Sequence, residues 1–591
     1  MMQSYKNYQI QETPLGSSFF HREVEHFLSE NGLRLENLDA YYTIRDDDGT
    51  ILAGAGVSAD VVKCVAVAEG HRSEGLLTPL ISHIISEKGG TNLKVFTKPE
   101  YRTLFESLGF KLLAQAPEAI LLEKGRGLEQ YCSYLSSFRH PGSTGVVIMN
   151  ANPFTLGHRY LLEQASSKVD NLFVIAVSEE ASRFPYRERL EMLRKAAPQG
   201  VTVLEGSAYQ ISSATFPTYF LKDLSQASNT QMLLDLDLFG RWIAPALGAS
   251  VRFVGSEPSD ALTAQYNALM KEVLPIEVVQ IQRLEDAQGP VSASRVRELL
   301  SAGKFNEAKA LTPESTWPYL LADLATNALQ AELDTLNKPG LVGPDSCGAH
   351  KDMDYKLMQK GISALRPYWP LMAVAPTADA LVNAGLEAEK AMLEATGGVN
   401  THKGAIFALG LALNCVVAQG ADNEKDMQKD LCQIAQAVSL NNQRDNNLRA
   451  TPGANAEAEY GIKGARGMAL DGYRQLFADW LPFYRTVSDG EGFSSASLRA
   501  PIRANAPENP FSSPLVRTLL RIMSTLDDTC VIHRVGIERA AKVKQEAAQL
   551  LDNYSEENLE RMCAQYAAEG ISPGGAADML SLTLLLNTII N

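Results

Sequence analysis

The pattern of apolar residues changes twice along this chain, and those changes constrain its architecture more than any other feature. Between residues 145 and 254, short β-branched runs (145–149, 172–177, 201–205, 251–254) alternate with helical stretches starting near His158 and Pro185. Such alternation predicts a parallel, Rossmann-like sheet with helices on both faces. After Pro313 and Pro318 the strand-like runs stop. From about 320 to 591 the chain is rich in Ala and Leu at helical spacing, broken by Gly-containing loops, which predicts an all-α domain. Upstream, runs at 40–44, 61–68, 93–96 and 119–122 mix with two helical stretches, one near 76–86, in the manner of an α+β domain. Gly125, Gly127, Pro141 and Gly142 mark a polar connector. The expected division is therefore 1–125, 143–320 and 325–591, in keeping with about 100–200 residues per domain for a chain of 591.

Charge and cysteine usage narrow the class. The chain carries 54 Lys and Arg against 69 Asp and Glu, a net charge of −15, so a nucleic-acid partner is not expected. Small phosphorylated ligands remain compatible, since a local group of cations and helix ends can hold them. Seven scattered Cys form no CxxC pair, which points away from a disulfide framework or zinc ribbon and toward a reducing compartment. The polar first 14 residues carry no apolar signal segment. The apolar run 579–590 is shorter than the roughly 20 residues a membrane span needs. A cytoplasmic protein with no membrane partner is expected.

In the middle segment, the strand 145–149 runs into Asn152-Pro153-Phe154-Thr155-Leu156-Gly157-His158 at a helix start. That puts an imidazole and free backbone N–H groups where phosphates bind. Downstream, Ser292-Ala293-Ser294-Arg295-Val296-Arg297 opens another helix with hydroxyls and guanidinium groups suited to phosphate oxygens. Each feature alone also reads as a capped turn.

Together they resemble the nucleotidyltransferases of HxGH type, and the stretches 206–220 and 252–258 narrow the resemblance to citrate lyase ligase, the acetate:citrate-lyase ligase. It covers about residues 1–320. It implies a GNAT-like N-terminal domain, in which Arg72-Ser73-Glu74-Gly75-Leu76-Leu77 stands where an acyl-CoA pyrophosphate turn is expected. Leu77 and Glu74 depart from that turn, so the domain reads as a holder of the acyl carrier or its arm, or as scaffold. The implied chemistry is attack of acetate on the α-phosphorus of ATP, giving acetyl-adenylate and pyrophosphate. The prosthetic thiol of the citrate lyase acyl carrier protein then takes the acetyl group. His158 would meet the phosphates and developing charge, with Asn152, Thr155 and Gly157 in the same loop. Ser292, Ser294 and Arg297 would hold the leaving phosphates.

In the helical region five clusters sit where helices should begin or end. They are Lys338-Pro339-Gly340 with Cys347-Gly348-Ala349-His350-Lys351-Asp352; Asn400-Thr401-His402-Lys403-Gly404; Gly461-Ile462-Lys463-Gly464-Ala465-Arg466-Gly467; Thr525-Leu526-Asp527-Asp528-Thr529; and Ser572-Pro573-Gly574-Gly575-Ala576-Ala577-Asp578. Lys403 near a positive helix end suggests a phosphate between them, or a solvated Lys. The Lys463–Arg466 stretch reads as an anion-binding backbone or a close helix crossing. Asp527 and Asp528 read as two carboxylates within an apolar helix, costly unless paired or metal-bound. The start of the last helix reads as an anion site.

In that order the clusters resemble the triphosphoribosyl-dephospho-CoA synthase family, over about residues 325–591. The resemblance implies that ATP is joined to 3′-dephospho-CoA with loss of adenine, and that Mg²⁺ bridges the triphosphate and acidic side chains. Asp527, Asp528 and Asp352 are the metal candidates. Lys338, Lys403, Lys463 and Arg466 are the phosphate candidates. His350 and His402 are candidates for proton transfer or orientation. A cofactor synthase serving malonate decarboxylase, or a decayed nucleotide- or carrier-binding scaffold, are the other readings.

Overall fold

The computed structural model describes residues 9–89, 92–180, 182–211, 216–221, 227–256, 260–421, 423–442, 459–490 and 512–590. Parts of the stretches 206–220 and 252–258 lie outside the described residues. The chain divides into two compact units, residues 1–152 with 157–291, and residues 153–156 with 292–591.

The first unit holds two sheets. The N-terminal sheet comprises β1 (Ile10–Glu12), β2 (Ala40–Arg45), β3 (Ile51–Ser58), β4 (Val61–Val67), β5 (Leu93–Thr97), β6 (Lys111–Gln115) and β7 (Ile120–Lys124), in the order β1-β2-β3-β4-β5-β7-β6. Only β4 and β5 pair in parallel; every other neighbour is antiparallel. The helix Leu77–Glu87 provides the crossover between β4 and β5. β3 is absent from the sequence expectation because Gly54 and Gly56 break its strand signal. Both are there for space: a Cβ on Gly54 would come within 2.3 Å of the Tyr41 hydroxyl.

The second sheet is wholly parallel, as expected. β8 (Thr144–Met149), β9 (Asn171–Ala176), β10 (Val201–Leu204), β11 (Val251–Gly255) and β12 (Glu277–Ile281) lie in the order β10-β9-β8-β11-β12. β8 is central, so the loop leaving its C-terminal end lies where ligands of open parallel sheets bind.

The polar connector expected around residues 125–142 is instead largely a helix, Gly127–Ser136. Its glycine lies at the first position, and Leu128 and Leu135 bury an apolar stripe. Both sheets contribute to one hydrophobic cluster, with Tyr41, Phe96 and Leu121 from one and Val146, Phe173 and Ile175 from the other.

The second unit is helical, as the Ala- and Leu-rich pattern implies. Its centre is formed by the helices Trp317–Asp334, Trp369–Ala373, Lys403–Ala418 and Gly574–Ile590. Gly410 permits close approach, since a Cβ there would meet Met372 Cε at 1.9 Å. The Asn414 amide crosses the same contact and donates to the carbonyls of Met372 (2.9 Å) and Ala375 (3.0 Å). The apolar run 579–590 is a core helix, buried from Met579 through Ile589. Among the described residues no helix is long and apolar enough to cross a membrane.

Candidate functional site

In the first unit the functional loop follows β8, and a buried cation shapes it. Arg189, on the helix Tyr186–Ala196, is fully buried. Its Nη1 donates to the Asn150 carbonyl (2.8 Å), the Asn150 side chain (2.6 Å) and the Val177 carbonyl (2.7 Å). Its Nε donates to the Phe184 carbonyl (2.9 Å), and Nη2 donates to the Glu179 carbonyl. A guanidinium collecting main-chain carbonyls from three segments fixes how the chain leaves β8. Ala151 then takes a left-handed conformation (φ 49°). Asn152 accepts the Phe184 N–H through Oδ1 (3.1 Å), and Thr155 is fully buried. His158 occupies the first turn of Leu156–Ser166 and is half-buried, as is Gly157 beside it. Sequence reasoning missed Arg189. An Arg in an amphipathic helix gives no sign that it points inward.

Residues 153–156 belong to the second unit. There the Leu156 N–H donates to the Leu311 carbonyl (2.9 Å) and the Thr316 hydroxyl to the Phe154 carbonyl (3.3 Å). In the same unit Ser292 caps the helix Ala293–Ser301, its hydroxyl accepting the Arg295 N–H (3.2 Å). Arg297 Nη2 donates to the exposed Ser294 hydroxyl (3.0 Å). The capping and the phosphate-binding readings of this stretch are thus compatible. Arg252 has a different role: it is buried, with its guanidinium 4.3 Å from the centre of the Phe239 ring.

The second unit gathers most of the motifs around the start of its last helix. Asp528 lies in the break between the helices Ser512–Thr525 and Thr529–Val535, which corrects the expectation of two carboxylates inside one apolar helix. It caps the second of these, Oδ1 accepting the Cys530 (2.8 Å) and Val531 (3.4 Å) N–H groups. Oδ2 accepts the Ala576 N–H (2.9 Å), so the anion expected at the start of Gly574–Ile590 is the protein's own carboxylate. Gly575 is needed there, because a Cβ would lie 2.9 Å from Asp528 Oδ1.

Burial pushes the Asp528 carboxyl above the usual range, against the pull of these N–H groups. Asp578, one turn further along, is pushed up more strongly, first by burial and then by Asp528 and Glu332. It sits against Gly404, whose Cβ would meet Asp578 Oδ2 at 1.9 Å. Glu332 is a partner the sequence reading did not single out, and Asp578 closes the last motif without a role assigned to it there.

Lys338 is buried and bound to Glu332, donating to its carboxylate and its carbonyl (both 2.6 Å). The Gly340 turn after it packs on the Ile571 carbonyl, which a Cβ would meet at 1.9 Å. His350 bonds the Ser572 hydroxyl through Nε2 (2.8 Å) and lies 3.3 Å from Arg534 Nη2 through Nδ1. Burial, then Arg534, lowers its pKa. His402 is buried, with Nδ1 on the Thr401 hydroxyl (2.8 Å) and Nε2 without a hydrogen-bond partner. Burial, then Lys338, lowers its pKa to about 3, so the ring is neutral near pH 7. The buried Tyr473 hydroxyl is likewise unpartnered and faces the field of Asp578.

The remaining candidates lie apart from this group. Asp352 is exposed, 3.9 Å from His350. Lys403 meets Glu389 at 2.6 Å, which offsets the repulsion of its helix end without a phosphate. Arg466 bonds the Ser439 hydroxyl (3.0 Å), while Lys463 lies 3.7 Å from Asp471. Asp527 is exposed and paired with Lys544 (2.7 Å). It lines both of two adjoining cavities, of about 390 and 260 Å³, which also share Ile462 and Leu526.

Among the described residues no three His, Cys, Asp or Glu side chains form a metal cage. Of the expected pair, Asp528 already accepts three main-chain N–H groups, whereas the Asp527 carboxylate is exposed at the two cavities and is the one suited to a Mg²⁺ ion brought by a triphosphate, an ion commonly held by one or two carboxylates plus phosphate oxygens.

Comparison with known proteins agrees with the two sets of motifs. Residues 144–320 match the citrate lyase ligase C-terminal domain, and residues 318–591 match ATP:dephospho-CoA triphosphoribosyl transferase. The "[Citrate [pro-3S]-lyase] ligase" of Escherichia coli (strain K12) is 41% identical over 315 residues, covering 50% of this chain and 89% of that protein. Its counterpart from Klebsiella pneumoniae is also 41% identical, covering 50% and 92%. The "Probable 2-(5''-triphosphoribosyl)-3'-dephosphocoenzyme-A synthase" of Pseudomonas syringae pv. tomato is 35% identical over 283 residues, covering 45% and 90%. The chain thus belongs to both families, to the citrate lyase ligases over its first half and the ATP:dephospho-CoA triphosphoribosyl transferases over its second, and is a bifunctional enzyme.

Proposed function

We propose that the chain matures citrate lyase by two ATP-dependent reactions on one prosthetic group. The first half acetylates the thiol of that group on the acyl carrier protein. The second half makes its precursor from ATP and 3′-dephospho-CoA. The observation that carries this is the presence of both motif sets in one chain, each matched over at least 89% of a relative. In this reading residues 1–125 form a GNAT-like domain, 143–320 the ligase domain and 325–591 the synthase domain. The N-terminal mixed sheet with its parallel β4–β5 pair supports the first of these. In its turn Glu74 bonds His71 (2.8 Å), which favours a carrier-holding role over acyl-CoA binding.

In the ligase half an acetate oxygen attacks the α-phosphorus of ATP and pyrophosphate leaves; the carrier thiol then displaces AMP. Such transfer relies on positioning and charge stabilisation. His158, with Asn152, Thr155 and Gly157, serves the phosphates at the strand end. Ser292, Ser294 and Arg297 serve the leaving pyrophosphate.

In the synthase half the 2′-hydroxyl of dephospho-CoA attacks C1′ of ATP; the bond from C1′ to adenine breaks, and adenine leaves. Asp527, with Asp528 fixing the loop beside it, would hold Mg²⁺, which would supply charge neutralisation to the triphosphate. Lys338, Lys463, Lys403 and Arg466 are the cations offered to the phosphates, and Lys463 lines a chamber that Asp527 also lines. His350, bonded to Ser572, is the proton-transfer candidate. His402 stays neutral and orients a polar group through Nε2. Asp352 is a peripheral third carboxylate.

Two substitutions separate the halves. His158→Ala is expected to lower acetate-dependent pyrophosphate release by roughly 10²–10³ and leave adenine release unchanged. Asp528→Asn, which preserves a capping acceptor, is expected to abolish adenine release and leave pyrophosphate release unchanged. A variant that lost both activities, or neither, overturns the assignment.

A further inference from the structure

We propose that the larger cavity of the helical unit, about 390 Å³, is the pocket for the nucleobase of ATP, the base that leaves as adenine. The proposal rests on the synthase reading and adds the place and orientation of one substrate.

The lining has the chemistry of a purine site. Its walls are aliphatic, formed by Ile462, Met523, Leu526, Val531, Ala540 and Val543. These come largely from three consecutive helices, Ser512–Thr525, Thr529–Val535 and Ile537–Asp552. Apolar surfaces suit the two faces of a planar base. The neutral hydrogen-bonding side chains in the lining are Ser524 and Gln545, which suit the uncharged polar edge of adenine.

Polarity orders the parts of the nucleotide between this chamber and the one beside it. Both carry one cation against two carboxylates, Lys544 with Asp527 and Asp528 here and Lys463 with Asp471 and Asp527 there. The larger chamber is the more apolar of the two, and the uncharged, planar base is the part of ATP that suits it.

Position supplies the orientation. Asp527 and Leu526 also line the smaller cavity, about 260 Å³, with Gly461, Lys463, Tyr473 and Thr525. That chamber is the more polar, and it includes Tyr473, whose buried hydroxyl has no partner. A nucleotide with its base in the larger chamber and its sugar and phosphates toward the smaller one carries its base–sugar bond past Asp527. A carboxylate there faces the positive character that develops at C1′ as adenine departs.

The test uses the full chain and 2-azido-ATP, with photolabelled peptides mapped after digestion. Label is expected within residues 523–548 of the unaltered chain. It should disappear in Ala541→Trp, whose indole enters from the exposed wall, while label in the first half persists. In the same variant the KM for ATP in adenine release should rise about tenfold or more, with the KM for dephospho-CoA within about twofold. The milder Gln545→Leu should move the KM for ATP in the same direction, and the unchanged KM for dephospho-CoA together with the helical circular dichroism of each variant reports that the helical unit is folded. Label in the second half only outside 523–548, or a rise in the KM for dephospho-CoA alone, overturns the pocket. Absence of adenine release from the unaltered chain overturns the synthase reading instead, and the photolabel still decides the cavity.

Discussion

Arg189 in the first unit and Asp528 in the second do the same job with opposite charges. Each is a buried ion that gathers main-chain groups from separate segments and thereby fixes a loop at a candidate site. Arg189 collects carbonyls from Asn150, Val177, Glu179 and Phe184. Asp528 collects N–H groups from Cys530, Val531 and Ala576. The difference lies in proton chemistry. A guanidinium keeps its charge at any working pH, so the ligase loop is held the same way throughout. A carboxylate pushed up by burial is open to protonation, and it has Asp578 beside it in the same condition. The helical site is therefore the half whose loop-fixing ion is a titratable group.

The comparison breaks most visibly if either ion is removed. Arg189→Met would leave carbonyls unpaired, and Asp528→Ala would leave N–H groups unpaired; each is expected to destabilise its own half by about 3 kcal/mol or more, read by denaturant unfolding. Arg189→Lys keeps the charge without the planar fork. It should still lose most acetate-dependent pyrophosphate release and spare adenine release. Equal loss of both activities would show that Arg189 is not specific to the ligase loop.

The pH contrast is the next effect in size. His402 has a depressed pKa, about 3 against 6.5, so its stabilising contribution is present above pH 6.5 and falls away as pH drops toward 3. Asp528 and Asp578 act in the opposite sense: their raised carboxyls favour the folded state at low pH, and that contribution is lost as pH rises through their folded values. Replacing His402 with Asn should recover about 1–2 kcal/mol of what the unaltered chain loses between pH 6.5 and 5, read as a flatter dependence of the urea midpoint on pH. The smallest effect belongs to Lys403→Ala. It breaks a partly exposed pair with Glu389, and a stability change under about 1 kcal/mol is expected. Unchanged adenine release in that substitution would remove Lys403 from the phosphate site.

Periodicity made the broad layers legible, the parallel sheet and the helical second half alike. Local composition misled at β3, where glycines make room for Tyr41, and at Gly127–Ser136, where flanking Gly and Pro suggested a connector. The motifs named most of the site, but sequence does not say what a charged residue faces. Asp527 and Asp528 read as neighbours in one helix, while the chain breaks there and gives them separate surroundings, one exposed on Lys544 and one buried. The same blindness hid Arg189 and Glu332, and it left Asp578 in its motif without a role, because the surroundings of a charged side chain are set by the fold.

The two family matches meet at residues 318–320, inside the first turn of the helix Trp317–Asp334. That helix is buried at Leu320, Leu321, Leu324 and Leu329, so the seam between two inherited enzymes is a piece of core, without a tether of its own. Anyone wishing to divide this chain into two single-purpose catalysts must place the cut where no apolar stripe is severed. A scission drawn at the genealogical border would strip the second fragment's opening rod of its first turn and leave that rod's buried flank sticky.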